Sequence, residues 1–268
     1  MSILTREMLP FKLRAKRHRG NMITALASGD RFKAEEEFRN AESAIYEAFQ
    51  YLAKYERPDP ETPGHASEGE IAVAEQLADF WGIQGGLYRS RGSALPDGSR
   101  SGDLETAIQA YDRGARYESS KRFGLLNSYN TVNRLVLRII QKPDILNAGE
   151  TVPGEKKPMV DLLEEAAKLI EGQLDKGRTD VAWALADLAM IELLCDGIDL
   201  EPILEQFDEA TVTDKYPLES MLNVIRDLLR AGIRPRGRFV QTGEQIRGKL
   251  PEPMKGPALG THETDGSA

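Results

Sequence analysis

Residues able to carry out covalent or metal chemistry are few in this chain and far apart. There are three histidines, His18, His65 and His262, and one cysteine, Cys195. No two histidines stand four residues apart, the spacing that sets two imidazoles on one helix face as zinc ligands. Cys195 has no histidine or cysteine beside it and closes an apolar run, where a thiol packs as a small hydrophobe. Neither a G-x-S-x-G elbow nor a G-x4-G-K-[ST] phosphate loop occurs. The stretch GSALPDGSRSGD is rich in glycine and serine, yet it lacks the lysine and the preceding strand of a phosphate loop. Glu35, Glu36 and Glu37 are consecutive, so on a helix they fan outward instead of converging on one substrate. The pattern points away from an enzyme and implies no metal and no cofactor.

Two polar sets suit recognition instead. Asn127, Asn130, Arg134 and Arg138 are spaced i, i+3, i+7, i+11, on the side of a helix over 123–140 opposite an apolar stripe. That stripe is Leu126, Tyr129, Val132, Val136, Ile139 and Ile140. Asparagine amides can hold a partner's extended backbone, and arginine takes carboxylates through paired N–H donors. Arg89, on an earlier helix, extends the same surface, while Asn133 borders the stripe and reads as structural. These five residues form the expected groove for a protein or peptide partner of acidic character; the alternative is an ordinary solvated face.

The second set is Lys12, Lys16, Arg17 and Arg19, in a segment that also holds Arg14. Clustered cations are all that phosphate neutralisation requires, so the alternative function is a helical regulator binding nucleic acid or another polyanion here. Against it stand a net charge of -8 and the near absence of aromatic residues for stacking, with only Phe11 close by. The same cations also suit the exposed side of a helix that faces an acidic partner.

The elements that must position these residues are helical throughout. A chain of 268 residues with 40% hydrophobic content can bury a real core. No run approaches the roughly 18 apolar residues of a membrane span. The basic N-terminus lacks a following apolar block, so no secretory signal is expected, and one cysteine suits a reducing compartment; the expected location is the cytoplasm. Helical periodicity covers 6–26, 31–55, 68–91, 103–117, 123–140, 159–174, 178–194, 200–210 and 216–231. Pro58, Pro60 and Pro63 interrupt it, and an insertion over 92–101 falls in a turn between paired helices. The implied organisation is an N-terminal helix pair (1–57), a proline-rich linker (58–67), a helical array (68–231) and a disordered tail (232–268).

Packing residues recur within these helices. Trp81, Gly85 and Tyr88 follow W-x3-G-x2-Y, and Gly102, Ala107 and Tyr111 follow G-x4-A-x3-Y. Gly29, Ala34, Phe38 and Ala41 repeat the second spacing, with Gly114 matching Ala41. Trp183, with Phe207 and Ala210 on the following helix, makes a third candidate displaced by about one helical turn. The spacings resemble those of the tetratricopeptide repeat, in which small residues let antiparallel helices approach and aromatics fill the hollow between pairs. The expected fold is therefore all-α, a tetratricopeptide-like array of antiparallel helix pairs, or α-solenoid.

More narrowly, Tyr129 and Asn133 in SYNTVN, then WALADLAMIELL from Trp183 and YPLESMLNVIRDLL from Tyr216, resemble bacterial relatives of the TRAF-binding repeat region of apoptosis-signal-regulating kinases. The likeness covers about 78–229 and leaves out the first helix pair and the proline segment. It implies a non-catalytic scaffold or adaptor, tied to signalling or defence, and carries over no catalytic or metal residue.

Overall fold

A computed structural model describes residues 2–94, 97–146, 151, 155–195, 199–256 and 258–259. These residues are helical with no β-strand among them, and the backbone divides into two compact units, Met1–Leu137 and Arg138–Ala268.

In the first unit, α1 (Ile3–Ala27), α2 (Arg31–Leu52), α3 (Glu68–Ala94) and α4 (Asp97–Glu118) are joined by the beginning of α5 (Tyr129–Gln141), which straddles the division. Their ends follow local chemistry. Ser2 Oγ accepts the Thr5 N–H at 3.1 Å, and Asp30 Oδ1 accepts the Lys33 N–H at 3.0 Å. Each satisfies a donor that a helix start otherwise leaves open. Ser67 and Glu70 form a reciprocal capping box: Glu70 Oε2 accepts the Ser67 N–H at 2.8 Å, and Ser67 Oγ accepts the Glu70 N–H at 3.2 Å. Gly29, at φ 78°, turns the chain from α1 into α2, a conformation that a side chain would strain.

Helix α1 packs on α2 and α3, α2 also meets α3, and α3 pairs with α4. One apolar cluster holds Ala15, Met22, Phe38, Ala41, Ile45 and Leu87; another holds Met8, Leu52, Leu77, Phe80, Trp81 and Tyr117. Small residues decide how closely α3 and α4 approach. A Cβ on Gly85 would stand 2.6 Å from the Tyr111 ring, so the glycine is what admits the aromatic.

Four expectations are corrected here. The compact units divide at 137/138 and not at the proline-rich segment, for α1 packs directly on α3. That segment is itself anchored: Pro58 is buried, and Ser120 Oγ donates to the Pro60 carbonyl at 2.8 Å. The insertion does lie between paired helices, but α3 runs on to Ala94 and α4 begins at Asp97, so most of it is helix; residues 95–96 lie outside the described residues. Helix α5 begins at Tyr129 instead of 123, because Gly124 sits at φ 60° and Asn127 Oδ1 accepts the Tyr129 N–H at 3.1 Å in a turn that starts the helix. Finally, Gly29 and Gly102 are not equivalent, one being a turn and the other inside α4, whereas Ala34 and Ala107, and Phe38 and Tyr111, are buried alike.

The second unit follows α5 with a 3-10 turn (Pro143–Leu146), α6 (Met159–Asp175), α7 (Val181–Leu194), α8 (Leu200–Ala210), α9 (Tyr216–Arg230), α10 (Arg236–Lys249) and a short α11 (Glu252–Lys255). Helix α7 is apolar nearly all round and touches α6, α8 and α9, the position such a helix must take. Disorder beyond residue 232 is corrected as well. Helix α10 buries Phe239, Thr242 and Ile246 against α9, and Leu259 sits where a Cβ on Gly243 would be, at 2.1 Å. Arg238 Nη2 donates to the Leu193 and Cys195 carbonyls at 2.5 and 2.6 Å, closing the end of α7. Residues 260–268 lie outside the described residues.

Candidate partner-binding surface

The residues expected to line a groove are mostly committed inside the chain. Asn130 is fully buried. Its Nδ2 donates to the Ala78 carbonyl at 3.0 Å and to Glu118 Oε1 at 2.7 Å. A Cβ on Gly114 would come within 2.3 Å of this side chain and one on Gly82 within 3.1 Å, so the amide fills a slot between glycines of α3 and α4. It is a structural residue, and its assignment to a partner groove is corrected. Arg89 Nη1 donates to Asn133 Oδ1 at 2.8 Å, Asn133 Nδ2 to the Tyr129 carbonyl at 2.8 Å, and Arg134 pairs with Asp112 at 3.4 Å. Asn127 shapes the turn before α5, and Arg138 falls in the second unit, partly exposed.

Glu118 is the hub of this buried network. Its carboxylate accepts the Asn130 and Thr131 backbone N–H groups at 3.0 and 2.8 Å, and the Thr131 hydroxyl at 3.0 Å. A carboxylate placed there caps the positive end of α5. Burial pushes its pKa up to about 7, against the pull of those hydrogen bonds.

The basic segment is divided in the same way. Lys12 pairs with Asp79, Arg14 with Glu47 at 2.6 Å and His18 with Glu37 at 2.5 Å, while Arg19 Nε donates to Ser90 Oγ at 3.0 Å. Only Lys16 and Arg17 of the four expected polyanion ligands stand exposed. The acidic face that the cations answer belongs to α2 and α3 of the same chain.

Two adjoining concavities of the first unit hold a different set. One, of about 250 Å³, is lined by Arg57, Arg113, Arg116 and Tyr117 and walled by Pro58, Asp59, Pro60 and Glu61. Arg113 and Arg116 stand three apart on α4, hence on one face. Arg57 leaves the end of α2 and donates from Nε to the Tyr117 hydroxyl at 3.2 Å. None of these three arginines forms an ion pair among the described residues. Asp59, on the same wall, forms no ion pair with them among the described residues: its carboxylate accepts the Glu61 N–H at 3.0 Å and the Thr62 hydroxyl at 3.1 Å, bonds that with Arg122 nearby hold its pKa below the ordinary value.

The other concavity, of about 280 Å³, is lined by Phe49, Leu52, Ala53, Val73, Leu77 and Trp81, with Arg57 again at its edge. The Phe49 and Trp81 rings pack tilted by 41° with centroids 4.4 Å apart, and the Arg113 guanidinium lies 4.8 Å from the indole. The indole Nε1 is buried without an acceptor. That orphan costs about 1–3 kcal/mol, less than the roughly 5 kcal/mol from burying some 200 Å² of ring.

Sequence reasoning misses this surface because Arg57, Arg113 and Arg116 come from separate segments; only the pair at i, i+3 in YDRGARY carries a local signal. Among the described residues no cluster of three or more His, Cys, Asp or Glu could hold a metal ion, and no helix is long and apolar enough to cross a membrane. Comparisons with protein-family models, with curated proteins and with solved structures return no match to the chain.

Proposed function

We propose that this chain is a non-catalytic scaffold or adaptor of tetratricopeptide-like build, holding a protein or peptide partner on the paired concavities of its first unit. The observation that carries the reading is that Arg57, Arg113 and Arg116 share one pocket beside an apolar hollow, outnumber its carboxylates Asp59 and Glu61 and form no ion pair among the described residues, while Lys12, Arg14, Arg91, Arg122 and Arg134 of the same unit have carboxylate partners. Support for the repeat-like build comes from α3 packing against both α1 and α2, and from the Gly85–Tyr111 approach. A wall of packed helices binds with little ordering of its own, so more of the contact energy appears as affinity.

The test is affinity purification of the tagged chain from its native cells, with and without nuclease, read by mass spectrometry. The expected result is a stoichiometric protein that survives nuclease and is lost from the Arg57→Glu/Arg113→Glu/Arg116→Glu variant. Recovery that collapses with nuclease, or that follows Lys16→Glu/Arg17→Glu instead, moves the function to a polyanion on α1.

A further inference from the structure

The two concavities differ in chemistry and share an edge. Arg57 lines both, and Arg113, from the polar one, lies over Trp81, from the apolar one. A ligand that fills both must therefore change from charged to apolar over a very short distance. Building on the first unit as a partner-binding surface, we infer that the partner segment is a peptide in which two or more carboxylates stand next to one bulky apolar side chain. The carboxylates meet Arg57, Arg113 and Arg116; the apolar side chain enters between Phe49, Leu52, Leu77 and Trp81.

Each part of that description answers an observation. Guanidinium groups match a planar carboxylate through two parallel N–H donors, and three of them line this pocket, outnumbering the carboxylates of Asp59 and Glu61 on its wall and forming no ion pair among the described residues. The apolar hollow is aliphatic as well as aromatic, and the Trp81 ring is buried against Phe49 and Arg113, so it offers no open platform for stacking a nucleobase. Glu61, on the rim of the polar pocket, opposes a dense run of negative charge. It also gives the site a second handle, because removing its charge strengthens attraction for any acidic ligand.

The experiment selects random displayed peptides on the intact chain at low salt, then titrates an enriched, tryptophan-free peptide by fluorescence in a Trp183→Phe background, where Trp81 alone reports. Enriched sequences are expected to pair Asp or Glu with an adjacent Phe, Trp, Leu or Met. Affinity falls about tenfold or more in Arg113→Ala/Arg116→Ala, falls again between about 50 and 500 mM salt, rises a few-fold in Glu61→Gln, and is unchanged in Lys16→Ala/Arg17→Ala. The inference is overturned if no peptide is enriched, if enriched peptides lack either the acids or the apolar residue, or if affinity ignores Arg113 and Arg116. Competition by tripolyphosphate or an RNA oligonucleotide as strong as by the peptide itself overturns it too. A stoichiometric partner captured from cells whose binding ignores the arginine variants leaves the scaffold standing while removing this ligand; peptide binding without any cellular partner does the reverse.

Discussion

Helix α4 carries two polar clusters within a few residues of each other, and they have opposite fates. Glu118 turns into the unit, where Asn130 and Thr131 meet its carboxylate with backbone and side-chain donors. Arg113 and Arg116, on the exposed side, line a hollow whose wall also holds Asp59 and Glu61, and form no ion pair among the described residues. Residue type does not separate the two clusters, since both are built of groups that recognition also uses. What separates them is whether the chain's own groups meet the charge: the Glu118 carboxylate is buried and met by donors of Asn130 and Thr131, although Asn130 Oδ1 is buried without a partner, whereas Arg113 and Arg116 are exposed and form no ion pair among the described residues. A charge met inside the fold contributes stability, and one left at the surface without an ion pair is where a partner has something to add.

Breaking the sealed cluster should have the largest effect. Gly114→Ala puts a methyl 2.3 Å from the Asn130 amide, and overpacking of this kind costs about 3 kcal/mol; urea denaturation of the purified chain measures it. The pH profile comes next. With a folded pKa raised from 4.5 to about 7, Glu118 favours folding in its protonated form, so its contribution is fully present below 4.5 and lost as pH rises through 7. Stability should fall by about 3 kcal/mol between pH 5 and 8, since a tenfold difference in proton affinity between the folded and unfolded chain is worth about 1.4 kcal/mol. Carboxylates with lowered values, such as Glu37 and Glu70, lose their contribution only as pH falls below 4.5, outside that window. Repeating the profile in Glu118→Gln should flatten the slope, and an unchanged slope refutes the assignment. Asn130→Ala strips two bonds from the network at about 2 kcal/mol, visible in the same denaturation assay. The open cluster sets the lower end: Arg113→Ala/Arg116→Ala should alter stability by under about 0.5 kcal/mol while weakening binding of the selected peptide about tenfold or more. A large loss of stability there would show that the two clusters are not distinct.

Much of the helical framework is legible in the sequence because periodicity reports it. The expected 200–210 segment is the observed Leu200–Ala210, and Gly85 with Tyr111 packs as the W-x3-G-x2-Y and G-x4-A-x3-Y spacings imply. The site is not legible, for two physical reasons. Period alone places Asn130 opposite an apolar stripe, but residues 130–133 are all buried, so α5 has no dry and wet side over that turn. A buried asparagine and a solvated one are identical letters until the glycines facing it are known. Arg57, Arg113 and Arg116 show the converse, since their meeting depends on where the proline-bearing segment returns against α4. The region after 232 misleads because its few apolar residues suggest nothing to bury, whereas Phe239, Ile246 and Leu259 each find a place.

That last segment has a practical consequence. The composition invites trimming the chain after Gly232 to obtain a tidier protein. Doing so removes Arg238, whose guanidinium closes the carbonyls at the end of α7, and uncovers the flank of α9 that Phe239 and Ile246 shield. The shortened product would carry a raw apolar strip in place of a clean edge, and self-association on that strip would be easily mistaken for native oligomerisation.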